Sequence, residues 1–143
     1  MRSESEFSAG GVVVNHLGET IVIVPTRRAA DGSKVLALPK GHPDGAESAA
    51  DAALREVREE TGVEATLVEK LGDIRYWYMR GGRRISKVVS FFLLDYVSGE
   101  LDDHDHEVEH AEWMALADAA RGLTYKGERD MAAAALSRSG KPQ

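Results

Sequence analysis

The sequence predicts an α+β chain in which a mixed sheet carries helices on both sides. Three observations point there. Thr20 to Val24 (TIVIV) is a continuous apolar run of strand length, as expected for a strand buried on both faces. Gly81-Gly82 separates two long strand-like stretches and is a two-residue hairpin signal. Between Ser48 and Gly62 lies an amphipathic segment with both the start and the stop signals of a helix.

Taken in order, Ser3 to Glu6 reads as a polar lead-in and Phe7 to Val14 as a strand. Gly10-Gly11 within it allows a close backbone approach or a bulge. Asn15 to Gly18 supplies a turn, Thr20 to Val24 the second strand, and Pro25 ends its regular pairing. Ala30 to Ser33 is a loop, and Val35 to Leu38 is expected as a short strand leading into Pro39-Lys40. After the helix, Glu64 to Leu71 and Ile74 to Met79 are strand candidates. Ile85 to Val97 returns through the VVSFFLL core run, and Ser98 to His106 is an acidic loop. Val108 to Met114 is the last strand, and Leu116-Ala117-Asp118 begins a short helix. A final helix, about Glu128 to Ser137, packs through MAAAAL and frays into SGKPQ. No repeat or linker interrupts residues 1–143, so a single domain is expected.

Composition narrows the function classes. Apolar content of 43% and charged content of 29% are those of an ordinary globular protein. The absence of cysteine excludes a disulfide scaffold or thiolate metal site and suits an intracellular protein. MRSESEF lacks the basic-then-apolar order of a signal peptide, and the apolar runs are too short to span a bilayer. A cytoplasmic location is therefore expected. Net charge of −6 argues against stable nucleic-acid or membrane partners. It leaves a small polyphosphate substrate open, because a few local cations set the field at a site.

The helix itself is unusual. Ser48 with Asp51 makes a start of the capping-box kind, and Gly62 suits a left-handed residue past the end. Ala50, Ala53, Leu54 and Val57 form the expected buried stripe. Glu56, Glu59 and Glu60 rise together on the adjoining face at i, i+3 and i+4. Like charges at that spacing cost roughly 0.2–0.5 kcal/mol per pair. Two of these acids also occupy the last turn, where the helix dipole favours cations. Arg55 and Arg58 would patch a solvated face, but they do not explain three acids at the wrong helix end. A hard divalent cation would.

Gly41, Glu47 and Arg55-Glu56-Val57-x-Glu59-Glu60-x-Gly62-Val63 match every fixed position of the Nudix box. The chain therefore resembles the Nudix hydrolase family over 41–63. That resemblance implies an α/β/α sandwich with a central mixed sheet and hydrolysis of nucleoside-diphosphate linkages with Mg²⁺ or Mn²⁺. It implies that Glu56, Glu59 and Glu60, with the Gly41 carbonyl, hold the metal. Arg55 would lock the carboxylates in position and pair with Glu47. Family members differ on which Glu is the base, so Glu56 and Glu59 share the catalytic assignment here. Glu107, six residues before Trp113, resembles the additional glutamate of dinucleoside polyphosphate hydrolases of the family, with Glu109 as its rival. His104, His106 and His110 have no further ligand at fixed spacing, and zinc is not expected.

Leu38-Pro39-Lys40-Gly41-His42 resembles the lead-in of diadenosine polyphosphate hydrolases, which gives Lys40 a phosphate-binding role. The loop ending Asp44-Gly45-Ala46-Glu47 departs from the family's Glu-x-Gly-Glu and shifts its turn glycine by one. Tyr76 and Tyr78 share one strand face, with Trp77 on the other. Tyr78 is expected to stack a base while Arg83, Lys87 and Arg27 meet phosphates, with Tyr125 a weaker stacking candidate. The implied substrate is a dinucleoside polyphosphate such as a diadenosine polyphosphate. Oxidised nucleoside triphosphates are the enzyme alternative, and a non-catalytic nucleotide-binding module is the rival of another class. Sequence alone leaves monomer and homodimer equally open.

Overall fold

A computed structural model describes residues 3–139. A mixed sheet is ordered β4-β5-β1-β2-β6, with a two-residue strand, β3, pairing off this path with β1. The strands are β1 (Ser3–Val14), β2 (Glu19–Pro25), β3 (Lys40–Gly41), β4 (Val63–Arg80), β5 (Arg83–Gly99) and β6 (Val108–Ala115). The helices are α1 (Ala49–Thr61), α2 (Leu116–Gly122) and α3 (Lys126–Ser139). β1 and β5 run parallel and the other pairs antiparallel, so the sheet is mixed as expected.

Alternation along the strands builds two cores. Ala9, Val13, Ile21, Ile23, Phe92 and Leu94 face α1, meeting Ala52, Ala53 and Val57. Their sequence neighbours Val12, Val22, Phe91 and Leu93 face the other way, onto Leu116, Ala119, Ala132 and Ala135 of α2 and α3. The TIVIV run is continuous because both of its faces are buried. The result is an α/β/α sandwich. Among the described residues no helix is long and apolar enough to cross a membrane.

Several expectations shift in detail. β1 begins at Ser3, taking in the polar lead-in, because it pairs in parallel with β5 from Ser3↔Arg84 onward. Gly10 and Gly11 serve close approach: a Cβ would meet the Pro39 carbonyl oxygen at 2.5 Å and Leu94 Cδ1 at 2.5 Å respectively. Val35 to Leu38 is no strand, since only an isolated Ile23↔Ala37 bridge joins it to β2. The two candidates after α1 are one strand, β4, whose irregular register at Leu67/Glu69 and Lys70/Gly72 keeps it paired with β5 throughout. At the hairpin, Gly81 and Gly82 both have positive φ (57° and 78°), the requirement of a tight primed turn. The buried side of α1 is Ala52, Ala53, Val57 and Thr61, with Ala50 and Leu54 only partly covered. In α3, Ala132 and Ala135 are buried while Leu136 is exposed, so only part of MAAAAL packs. The expected fray over SGKPQ falls largely at 140–143, outside the described residues.

Candidate functional site

The capped ends of α1 place the acids. Ser48 Oγ accepts from the Asp51 N–H at 3.1 Å. Gly62, at φ 79°, turns the chain out of the helix, and its N–H donates to the Arg58 carbonyl. The last two turns of α1 face β3 across an open cleft of about 1650 Å³. Glu56, Glu59 and Glu60 line it, as do Gly41 and His42.

Arg55 holds much of this cluster together. Its Nε donates to Glu47 Oε2 at 2.9 Å, and Nη1 donates to Glu56 Oε2 at 3.2 Å and Glu59 Oε1 at 3.0 Å. Nη2 donates to the His42 carbonyl at 2.8 Å, tying helix to loop. Hydrogen bonding from Arg55 pulls the Glu47 carboxyl below its usual range. Glu60 is held separately, accepting from the Lys40 backbone N–H at 3.0 Å. Burial pushes the Glu60 carboxyl up to about 8 and raises Glu56 as well. A Cβ on residue 41 would fall 2.1 Å from the Glu56 carboxyl group, so β3 approaches that carboxylate as only glycine can.

These residues suit a hard divalent cation in chemistry, although among the described residues no three acidic or imidazole groups are gathered into a ready ligand set. The reason is visible: Glu56 and Glu59 each give one oxygen to Arg55, and Glu60 gives one to the Lys40 amide. The second oxygen of each carboxylate has no hydrogen-bond partner among the described residues. Burial holds back the ionisation of Glu56 and Glu60, which a cation would favour.

The other expected residues distribute unevenly. Glu107 lines the cleft, where its charge reaches Glu56, and its carbonyl accepts from the Thr26 N–H at 3.0 Å. Glu109 stands outside the lining and pairs with Arg28 at 3.1 Å. Lys40 lines the cleft, but its Nζ lies 3.0 Å from Glu128 Oε2, and Glu128 is buried. Burial alone would lower the Lys40 pKa, and the Glu128 charge turns the net shift upward. Arg27 lines the cleft with no ion-pair partner among the described residues. Lys87, nearly buried, sits 3.7 Å from Glu6, and burial lowers its pKa. Tyr78 lines the same wall but donates its hydroxyl to Glu6. Tyr76 and Tyr125 also face the cleft. Arg83 does not line it; at the turn end of β5 it pairs with Glu4 of β1.

Three contributors were missed in the sequence. Asp105 lines the cleft and its N–H donates to the Glu59 carbonyl at 2.9 Å. Glu128 and Glu6 sit beneath Lys40 and beside Lys87. Nothing local distinguishes Glu6 or Glu128 from surface acids, because their cationic partners lie far away in the chain.

The NUDIX domain model matches residues 5–135. A protein named MutT4, from Mycobacterium tuberculosis and described as a mutator protein, is 36% identical over 136 residues, covering 92% of this chain and 55% of its own length. The chain thus spans about half of that relative. The asymmetrical bis(5′-nucleosyl)-tetraphosphatase of Mus musculus is 32% identical over 105 residues, 69% of this chain and 68% of that protein. Among solved structures, a NUDIX hydrolase from Nitrosomonas europaea superposes with a TM-score of 0.76 at 19% identity, covering 96% of this chain and 91% of that one.

Proposed function

This chain belongs to the NUDIX family, and from that premise we propose that it is a divalent-metal-dependent hydrolase of phosphoric anhydrides in nucleotides. One observation carries the reading: Glu56, Glu59 and Glu60 converge at the end of α1 on a wide cleft that also holds free or partly free cations. A phosphoric anhydride resists attack because its oxygens repel a nucleophile, so catalysis needs neutralisation of charge and an aligned water. Mg²⁺ or Mn²⁺ bound at Gly41, Glu56, Glu59 and Glu60 would supply that neutralisation and acidify a bound water. Arg55 keeps Glu56 and Glu59 in register and fixes the Gly41-His42 loop through the His42 carbonyl. Glu56 or Glu59 accepts the proton of the attacking water, and Glu107 closes the site from the loop before β6. Arg27 and Lys87 meet the outer phosphates, while Tyr78 and its neighbour Tyr76 offer ring faces on the same wall.

Dinucleoside polyphosphates are the substrate favoured here, since the cleft is roomy at about 1650 Å³ and the tetraphosphatase similarity points the same way. Nucleoside triphosphates are the second reading. The pairing of Lys40 with Glu128 favours it, because that ammonium is already neutralised and adds little grip on a long phosphate chain. Residues 1–143 act as one domain in either case, with a small nucleotide as the partner.

A chromatographic screen of hydrolysis products over nucleoside triphosphates, dinucleoside polyphosphates, sugar nucleotides and inositol pyrophosphates tests the proposal, run with Mg²⁺ and with chelator. Expected is Mg²⁺-dependent turnover, highest on dinucleoside polyphosphates and lost in Glu59→Gln. Nucleotide binding without turnover of any substrate would instead make this a binding module.

A further inference from the structure

No acidic residue stands between Asp73 and Asp95, although the chain holds 24 acids, and that stretch carries Arg75, Arg80, Arg83, Arg84 and Lys87. It forms the outer half of the β4–β5 hairpin, and the two sides of the hairpin handle this charge differently. On the face of Tyr76 and Tyr78, β1 brings Glu4 and Glu6 against it: Glu4 pairs with Arg83 outside the cleft, and Glu6 with Arg80 and Lys87 in its wall. The side shared with α1 receives no carboxylate from β1. Arg75 and Phe7 flank Val88 in register, Trp77 and Ser5 flank Ser86, and Met79 lies beside Arg84. Asp73, at the inner end of this face, is bound by Ser90 and Lys70 and lies 3.9 Å from the Arg75 guanidinium.

Helix α1 covers this side of the sheet only as far as Ala9 and Phe92. Beyond it, Phe7, Trp77 and Met79 are left 38%, 53% and 60% exposed, with Arg75 and Met79 at the rim of the cleft and Phe7, Trp77 and Arg84 outside its lining. The Arg84 guanidinium lies over the Trp77 ring, 3.9 Å from its centroid, and the Arg75 side chain is largely in solvent. A strand surface with aromatic faces, a flat-lying guanidinium, a second guanidinium held only loosely by Asp73 and serine hydroxyls calls for a flexible anion with planar groups. The geometry points to a single-stranded nucleic acid on this face, its bases stacking on Trp77, Arg84 and Phe7 and its phosphates meeting Arg75 and Arg84. A duplex hides its base faces, so it offers this surface much less. A lipid surface would need a deeper apolar wedge than a ring roofed by a cation. The net charge of −6 concealed the site because, Asp73 apart, the acids lie elsewhere.

The test uses a fluorescent oligoribonucleotide of about ten residues with a 5′-hydroxyl, in chelator. It contains no anhydride, so the outcome is independent of hydrolase activity. Fluorescence anisotropy is expected to show binding that weakens about sevenfold between about 50 and about 200 mM salt, the dependence of two phosphate contacts on a single strand. Trp77→Ala is expected to weaken it about tenfold, the loss of one stacked base. Arg84→Ser should lower both affinity and salt dependence, with circular-dichroism melts showing both variants folded. Absence of binding at low salt, or equal binding by both variants, overturns the inference. So does preference for anionic vesicles over the oligonucleotide, or concentration-dependent dimerisation lost in Trp77→Ala.

Discussion

Arg55→Ala is the most informative single change. The guanidinium is 16% exposed and neutralises Glu47, Glu56 and Glu59 while holding the His42 carbonyl. Glu59 is about half exposed, and its pair is worth little after solvent screening. Glu47 and Glu56 are 18% and 14% exposed, and hydrogen bonds to charged groups contribute about 1.5–3 kcal/mol each. After partial rehydration of both carboxylates, the expected loss is about 3–4 kcal/mol. For a chain of this size that is a fall of roughly 10 °C in melting temperature, read by calorimetry in chelator. Saturating Mg²⁺ should recover part of the loss, because an ion bound to the folded state replaces the missing cation. A variant melting within about 2 °C of the parent would refute the view that Arg55 organises the carboxylates. An equally unstable variant that Mg²⁺ does not help would refute the cation site.

Other perturbations separate fold from site. Gly41→Ala drives a methyl group into the movable end of Glu56, so stability should fall by no more than about 1 kcal/mol while turnover falls at least about tenfold. Equal losses in denaturation and rate assays would mean that Gly41 matters only for folding. Lys40→Met strands the buried Glu128 carboxylate, which also accepts the Leu38 N–H at 2.8 Å. The expected cost is about 3 kcal/mol, partly restored in Lys40→Met/Glu128→Leu; additive losses in that double-mutant cycle would show the pair to be uncoupled. The Glu6 carboxyl is lowered from 4.5 to about 2, first by the Tyr78 hydroxyl and then by Arg80. Its contribution is therefore present above about pH 4.5 and lost as pH falls toward about 2. The melting-temperature gap between parent and Glu6→Gln should narrow over that range, and a constant gap would contradict the pairing.

What could be read in the sequence was whatever is fixed by neighbours in the chain. Ser48, Gly62 and the Gly81-Gly82 turn act through local backbone geometry, and each stands where its residue type predicts. The Glu cluster was legible for the same reason, being three positions on one helix. Val35 to Leu38 misled because its backbone is satisfied from a distance. Leu36 N–H donates to Thr124 Oγ1 and Leu38 N–H to Glu128, so an apolar run of strand composition forms almost no ladder. Lys40 looked like a free cation because Glu128 is 88 residues away. The polar start of β1 gave no strand signal, since its order comes from pairing with β5 and from ion pairs to the hairpin. Arg83 was placed by proximity to the aromatic strand, but β1 draws it to Glu4, away from the cleft.

The most direct measurement is Mn²⁺ binding followed by electron paramagnetic resonance, on the parent and on Glu56→Gln, Glu59→Gln and Glu60→Gln. Saturable binding to the parent, weakened at least about tenfold by each substitution in a folded protein, is the expected result. Binding of equal strength in all four proteins, or none in the parent, would contradict a cation site at the end of α1.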